Sequence, residues 1–268
     1  MKLGDGQEVT SGGLTGRLYA SATLPATGSA TENGSGNRPT YVLLHGIGVS
    51  HRYFARLHRE LALMADVYTL DLPGFGAAPR PGRQVPVGEY AAFVSKVLAG
   101  AGVRSCVLVG HSMGAQYAVE LALQEPGLVA GVVLMGPVVD PNRKSVPLQA
   151  LALARDAVFG ESLSSNAIVF GDYFRAGFRW YLTQLPVMMD YPLESRIRGV
   201  SQPVLVMRGA KDPVARHRWC ERLAAQVPQG SLAEIPGVGH VLQHMAPGAT
   251  AAAISGWVRA VDGFGVTT

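Results

Sequence analysis

The segment Gly-His-Ser-Met-Gly at residues 110–114 constrains this chain more than any other stretch. It follows an apolar run at residues 106–109 and precedes a helical pattern at residues 115–123. A serine between two glycines on such a strand-to-helix turn is typical of a nucleophile elbow. The glycines remove the Cβ atoms that would collide in so tight a turn. The helix directs its first N–H groups and its positive end towards the serine, where an oxyanion would form.

Apolar runs alternate with helical periodicities along most of the chain. The runs predict strands at residues 41–44, 67–71, 106–110, 128–135, 204–207 and 231–235. The periodicities predict helices at residues 51–65, 88–101, 115–123, 214–227 and 246–261. Residues 8–20 predict one or two short edge strands around a Gly12-Gly13 turn. The sequence therefore predicts an α/β fold, a mostly parallel doubly wound sheet with helices on both faces.

Residues 138–200 interrupt this alternation because they contain no strand-like run. Helical periodicities lie instead at residues 148–159, 166–170 and 174–185, together with many aromatic residues and methionines. We interpret residues 138–200 as an inserted helical cap on a core formed by residues 1–137 and 201–268. Residues 21–40 are rich in Ser, Thr, Ala, Gly and Asn and predict an irregular, mobile surface loop.

Length and composition restrict the class of protein. The 268 residues fit one large domain, or a core with an insertion, and 48% of them are hydrophobic. A net charge of +4 without a basic run argues against a nucleic-acid partner. No apolar stretch approaches the ~18 residues of a membrane span, and the N-terminus lacks a signal-peptide pattern. We expect a cytoplasmic monomer or homodimer in which Cys106 and Cys220 are buried and unpaired.

An acidic residue and a histidine follow two later strands. Asp212 lies in the loop after the strand at residues 204–207, and His240 lies in the loop after the strand at residues 231–235. Both loops lie at the carboxyl edge of a parallel sheet, where such folds place their sites. The order Ser112, Asp212, His240 is the chain order of the α/β-hydrolase triad.

From residue 41 onward the chain resembles the α/β-hydrolase superfamily. The matching motifs are His45-Gly46, the segment Asp-Leu-Pro-Gly-Phe-Gly at residues 71–76, the elbow at residues 110–114, Gly-Ala-Lys-Asp at residues 209–212 and Gly-Val-Gly-His at residues 237–240. The resemblance is specific for the superfamily and weak on substrate. The residues before Thr40 match no family motif.

These residues predict acyl transfer through a serine. Ser112 Oγ would attack the carbonyl, His240 would move the proton, and Asp212 would orient the imidazole. The backbone N–H of Met113 would be one oxyanion donor. The resemblance implies Ile47 as the second, with Gly48 as the alternative. This chemistry requires neither a metal nor an organic cofactor.

Several other titratable residues compete for roles. Asp140 follows the strand after the elbow and is the alternative acid, although Asp212 has the better loop context. Asp71 is expected to shape its own turn. The remaining histidines are expected as a turn residue (His45), a residue packed beside the site (His111) and surface or boundary residues (His51, His58 and His217). For His244, four residues after His240, a place at the pocket border is the less favoured alternative.

The leading functional prediction is hydrolysis of a small, largely apolar carboxylic ester. A serine nucleophile argues against dehalogenase and epoxide-hydrolase chemistry, which uses a carboxylate in this superfamily. Carbon–carbon hydrolysis of ring-cleavage products is one alternative. Val241 stands where those enzymes commonly carry Trp, and this difference weakens that alternative. Lactone hydrolysis, perhydrolysis and a non-catalytic ligand-binding role on the same fold also remain open. Met188, Met189 and Trp180 would either line the pocket or join the cap to the core.

Overall fold

The computed structural model describes residues 3–21, 38–143 and 178–261. Eight strands in these ranges form one sheet with the order β1-β2-β4-β3-β5-β6-β7-β8. The strands are β1 (Gln7–Ser11), β2 (Leu14–Ala20), β3 (Thr40–Leu44), β4 (Asp66–Asp71), β5 (Cys106–His111), β6 (Val129–Met135), β7 (Val204–Gly209) and β8 (Gly230–Ile235). Strand β2 is antiparallel to β1 and β4, and β3 to β8 pair in parallel. The predicted α/β-hydrolase architecture is confirmed.

Helices follow the parallel strands. The helices in the described ranges are α1 (Ala55–Ala62), α2 (Val87–Gly100), α3 (Gly114–Gln124), α4 (Phe178–Asp190), α5 (Leu193–Arg196), α6 (His217–Ala225), α7 (Leu242–Met245) and α8 (Pro247–Ala260). Three short 3-10 turns lie at His51–Phe54, Pro141–Arg143 and Ile197–Gly199. None of these helices is long and apolar enough to cross a bilayer.

The central strands are apolar along their length because both faces of the sheet are covered. In β3, Val42 and Leu44 join one hydrophobic cluster, whereas Tyr41 and Leu43 join the cluster on the opposite face. Side chains of a strand alternate between faces, so a continuous apolar run fills two cores at once. Cys106 is buried in this sheet and Cys220 in α6, and both are free, as predicted.

The N-terminal edge is the predicted hairpin. Strands β1 and β2 are joined by Gly12 and Gly13, whose φ angles are 58° and 75°. Two consecutive positive φ angles match the right-handed twist of the strands that they connect, and glycine adopts them without a Cβ clash.

Some predicted boundaries are wrong. The helix predicted at residues 51–65 starts as a 3-10 turn and ends at Ala62, and the helix predicted at residues 214–227 begins only at His217. Helix α7 was not predicted, because its four residues are too short for a periodicity. The helical patterns at residues 148–159 and 166–170 and most of the loop at residues 21–40 lie outside the described residues.

Polar contacts attach the described end of the 138–200 segment to α3. Gln116 Nε2 donates to the carbonyl oxygens of Val138 and Met188 at 3.0 and 2.9 Å. One turn further along α3, Glu120 accepts hydrogen bonds from Arg196 and from the Tyr191 hydroxyl. The helix that begins beside Ser112 therefore holds the first and last parts of this segment.

Candidate active site

Ser112 lies directly after β5 with a φ of 56°, the one positive φ of a non-glycine residue in the described ranges. A Cβ on Gly110 would overlap the backbone of Gly114, and a Cβ on Gly114 would overlap the Leu44 carbonyl. Both glycines of the motif are thus required by close backbone packing. A non-glycine residue at positive φ is strained, and such strain is concentrated at functional sites.

His240 and Asp212 meet at the same edge of the sheet. His240 Nδ1 lies 2.8 Å from Asp212 Oδ2, and both residues are buried. The other carboxylate oxygen, Oδ1, accepts from the N–H groups of Val214 and Ala215 at 2.7 and 2.9 Å. A carboxylate only accepts, so His240 donates from Nδ1, and in the neutral form of this tautomer Nε2 carries the lone pair.

Gly136 gives this pair its space. It follows β6 with a φ of 53°. A Cβ at this position would lie 2.9 Å from His240 Cε1, 3.0 Å from His240 Nδ1 and 3.4 Å from Asp212 Oδ2. The sequence marked this glycine only as the end of a strand.

Arg208 supports the loop that carries Asp212. Its Nε donates to the Ala215 carbonyl at 2.7 Å and its Nη2 donates to the Asp212 carbonyl at 3.0 Å. The buried guanidinium also pairs with Glu234 on β8. Sequence reasoning missed this residue, although an arginine directly after four apolar strand residues was a signal that a buried charge had partners nearby.

The loop after β3 passes beside Ser112. A Cβ on Gly46 would lie 3.0 Å from Ser112 Cβ and 3.4 Å from Ser112 Oγ. The Leu72 N–H donates to His45 Nε2 at 3.0 Å, so the His45 hydrogen lies on Nδ1 and donates to the Gly46 carbonyl at 2.8 Å. In a trans peptide the carbonyl and the following N–H point in opposite directions. His45 therefore fixes the direction of the Ile47 N–H.

Met113 is the residue that caps α3 at its N-terminus, and its side chain is buried. Its N–H belongs to the orphan donors of the first helical turn, which carry the positive end of the helix dipole. Ile47 is also buried. The structure thus places Ile47 and Met113 in segments that both adjoin Ser112.

The alternative acid lies in a different environment. Asp140 Oδ1 accepts from Arg222 Nη2 at 2.8 Å and from the Asn142 N–H at 3.1 Å. Asp71 Oδ1 accepts from the His51 N–H at 2.6 Å, and its Oδ2 lies 3.4 Å from the Ala77 N–H, so this carboxylate shapes the start of its own turn.

The other histidines differ in burial from some of the sequence expectations. His58 was expected at a surface or boundary and is buried, because its Nδ1 bonds Thr69 Oγ1 at 2.8 Å inside the α1–β4 interface. His217 is half exposed beside Glu234. His111 is buried with its ring centroid 4.7 Å from that of His240. His244 is also buried.

The cap residues that the sequence singled out are buried in the larger hydrophobic cluster. Trp180, Met188 and Met189 all belong to it. The Trp180 indole covers Gly74, where a Cβ would overlap the ring, and it meets Phe75 edge-on at 6.3 Å. Helix α4 therefore packs on the loop after β4. Within the described ranges, no group of three or more His, Cys, Asp or Glu side chains could hold a metal ion.

Comparison with known proteins identifies the family. The model of the alpha/beta hydrolase family matches residues 41–253. The chain belongs to the alpha/beta hydrolase family. The match starts in β3 and ends in α8, so it includes every element that carries a candidate site residue.

Proteins similar to this chain are named as different kinds of hydrolase. A pimeloyl-acyl-carrier-protein methyl ester esterase of Nitrosospira multiformis is 27% identical over 77% of this chain and 89% of its own. A 2-(acetamidomethylene)succinate hydrolase of Mesorhizobium japonicum is 24% identical over 85% and 90%. The enol-lactonase of Burkholderia xenovorans LB400 superimposes with a TM-score of 0.78 at 17% identity, over 94% of this chain and all of that one.

Proposed function

We propose that this hydrolase cleaves a small, largely apolar carboxylic ester through an acyl-enzyme on Ser112. His240 is the general base and acid, and Asp212 orients it. The N–H groups of Ile47 and Met113 form the oxyanion hole. The observation that carries the proposal is the convergence of a strained serine, a buried His–Asp pair and the Gly46 loop at one edge of the sheet.

Each step uses a group in that arrangement. Ser112 Oγ attacks the carbonyl carbon while its proton passes to His240 Nε2. The tetrahedral oxyanion accepts hydrogen bonds from Ile47 and Met113. The carbon–oxygen bond breaks as His240 returns the proton to the leaving alcohol. Water, deprotonated by His240, then attacks the acyl carbon, and the carboxylic acid and the free serine result.

The surroundings of Ser112 support an apolar substrate. Buried hydrophobic side chains flank the serine in sequence and in the Gly46 loop, among them Met113 and Ile47. Helix α4 adds Trp180, which packs on the loop after β4, and its Met188 and Met189 are buried in the same hydrophobic cluster. An apolar cover favours a compact ligand that is desolvated on binding. The esterase named among the relatives agrees with ester chemistry.

The test is hydrolysis of esters with graded acyl and alcohol groups, with a lactone and a dienone ring-cleavage product included. We expect the short and medium apolar esters to be the best substrates. Ser112→Ala should retain the fold and lose turnover by a factor on the order of 10⁴ or more. Preferred cleavage of the dienone, or near-normal turnover in folded Ser112→Ala protein, would refute the proposal.

A further inference from the structure

A buried chain of hydrogen bonds runs behind the candidate site. Tyr53, in the 3-10 turn after β3, accepts a hydrogen bond from the Gly46 N–H at its hydroxyl, at 2.9 Å. The same hydroxyl lies 2.9 Å from His111 Nδ1. His111 Nε2 lies 2.9 Å from the backbone carbonyl oxygen of His240. Tyr53 and His111 are 2% and 3% exposed, so water does not compete for these bonds.

The acceptors determine the direction of every bond in this chain. The His240 carbonyl can only accept, so His111 carries its hydrogen on Nε2. Burial, with a smaller contribution from the charge of His240, holds the pKa of His111 well below its usual value, and the ring is neutral. Its Nδ1 is therefore an acceptor, and the Tyr53 hydroxyl donates to it. The bonds run from the Gly46 N–H through Tyr53 and His111 to the His240 carbonyl.

These hydrogen bonds connect the loop after β3, which carries Gly46, with the loop after β8, which carries His240. The two loops begin at different distances from β5. The strand that leads to Gly46 (β3) and the strand that ends at His111 (β5) are neighbours, and backbone bonds fix their relative position. The strand before His240 is three positions from β5 in the sheet. With strands about 4.8 Å apart, that separation is about 14 Å. The loop after β8 must cross this separation to bring His240 to Ser112. The His111 side chain holds that loop by its hydrogen bond to the backbone carbonyl of His240.

Ring contacts make this link stiff. The His111 ring meets Tyr53 edge-on at 5.3 Å and Phe54 edge-on at 6.5 Å. Its centroid lies 4.7 Å from that of His240. His111 is also adjacent in sequence to Ser112, whose own N–H is bonded to the Met135 carbonyl at 2.9 Å. His111 thus connects Ser112, the backbone of His240 and, through Tyr53, the Gly46 loop.

We propose that Tyr53 and His111 are positioning residues for the acyl transfer: they set the separation between the Gly46–Ile47 donor loop, Ser112 and the backbone of His240. This proposal rests on the function proposed above. Both side chains act through the groups to which they are bonded. Their effect is on geometry, and misplacement by 1 Å costs about a hundredfold in rate.

The test compares two variants that each lose one buried tyrosine hydroxyl. Tyr53→Phe removes the hydroxyl that joins the Gly46 N–H to His111. Tyr90→Phe removes an equally buried hydroxyl that donates to the Pro73 carbonyl at 3.0 Å. Both should lower Tm by similar amounts. We expect kcat with the best ester, and the rate of Ser112 labelling by a fluorophosphonate, to fall about ten- to a hundredfold in Tyr53→Phe alone. KM should change little.

A second pair of variants tests the bond to His240. His111→Gln retains an amide N–H that can donate to the His240 carbonyl, whereas His111→Leu retains only bulk. We expect His111→Gln to recover a large part of the labelling rate that His111→Leu loses. Equal losses in both His111 variants, or equal labelling rates of Tyr53→Phe and Tyr90→Phe, would refute the positioning role of Tyr53 and His111. Failure of the unaltered protein to label at Ser112 would instead refute the proposed function, and the positioning role with it.

Discussion

The substitution Gly136→Ala tests the geometry of the His–Asp pair with a single methyl group. The added Cβ would lie 2.9 Å from His240 Cε1 and 3.0 Å from Nδ1. Carbon atoms in contact prefer about 3.5–4.0 Å, so the ring must retreat by roughly 0.5–1 Å. The ring cannot move towards Asp212 because its Nδ1 already lies 2.8 Å from Oδ2.

A displacement of this size predicts a loss of kcat of about ten- to a hundredfold, because a 1 Å error in a catalytic group costs about a hundredfold. A second effect falls on stability. The φ of 53° at Gly136 is unfavourable for alanine by roughly 1–2 kcal/mol. For a chain of this size each 1 kcal/mol lowers Tm by about 2–4 °C.

Gly102→Ala is the matched control. Gly102 has a φ of 76°, and a Cβ at this position would have nothing within 4 Å. Alanine there therefore adds the same kind of backbone strain without contacting His240. Steady-state kinetics and calorimetry on both variants separate the two effects. We expect similar losses of Tm and a loss of kcat only in Gly136→Ala. Equal kcat in the two variants would show that this space beside His240 does not matter for catalysis.

Three further predictions follow from the same contacts. Asp212→Asn should lower kcat by about 10⁴ by favouring the wrong histidine tautomer, whereas Asp140→Asn should have a small effect in the same assay; the reverse result would make Asp140 the acid. Replacing Met188 or Trp180 by Ala should change relative kcat/KM across the ester panel by about ten- to a hundredfold, and a fall in Tm with an unchanged substrate ranking would assign these residues to packing alone. Burial lowers the pKa of His58 to about 4. The unfolded chain therefore binds more protons than the folded one below about pH 6.5, so Tm should fall as the pH drops from about 6.5 to 4, and less steeply in His58→Gln.

Much of the fold was readable from the sequence because its signals are local. A continuous apolar run in β3 or β5 reports burial on both faces, whatever the neighbouring strand is. The glycines at 110 and 114 indicate that another backbone segment lies too close for a Cβ atom at either position. The position of Asp212 and His240 after β7 and β8 follows from the rule that loops at the carboxyl ends of parallel strands share one edge.

Contacts between distant segments were not readable in this way. The burial of His58 depends on Thr69 in another element, and the partner of Asp140 is an arginine 82 residues away. The support of the Asp212 loop by Arg208 and the space provided by Gly136 likewise depend on how the ends of β6, β7 and β8 converge.

The sequence alone determined the elements, their alternation and the residue types able to transfer an acyl group, since each depends on neighbours within a few positions. Only the tertiary structure decided which donors and acceptors meet. His111 illustrates the difference: its place in the elbow was visible, but its bonds to Tyr53 and His240 span 58 and 129 residues. A hydrogen bond needs a fit of a few tenths of an ångström, and that fit is set by the packing of the whole sheet edge.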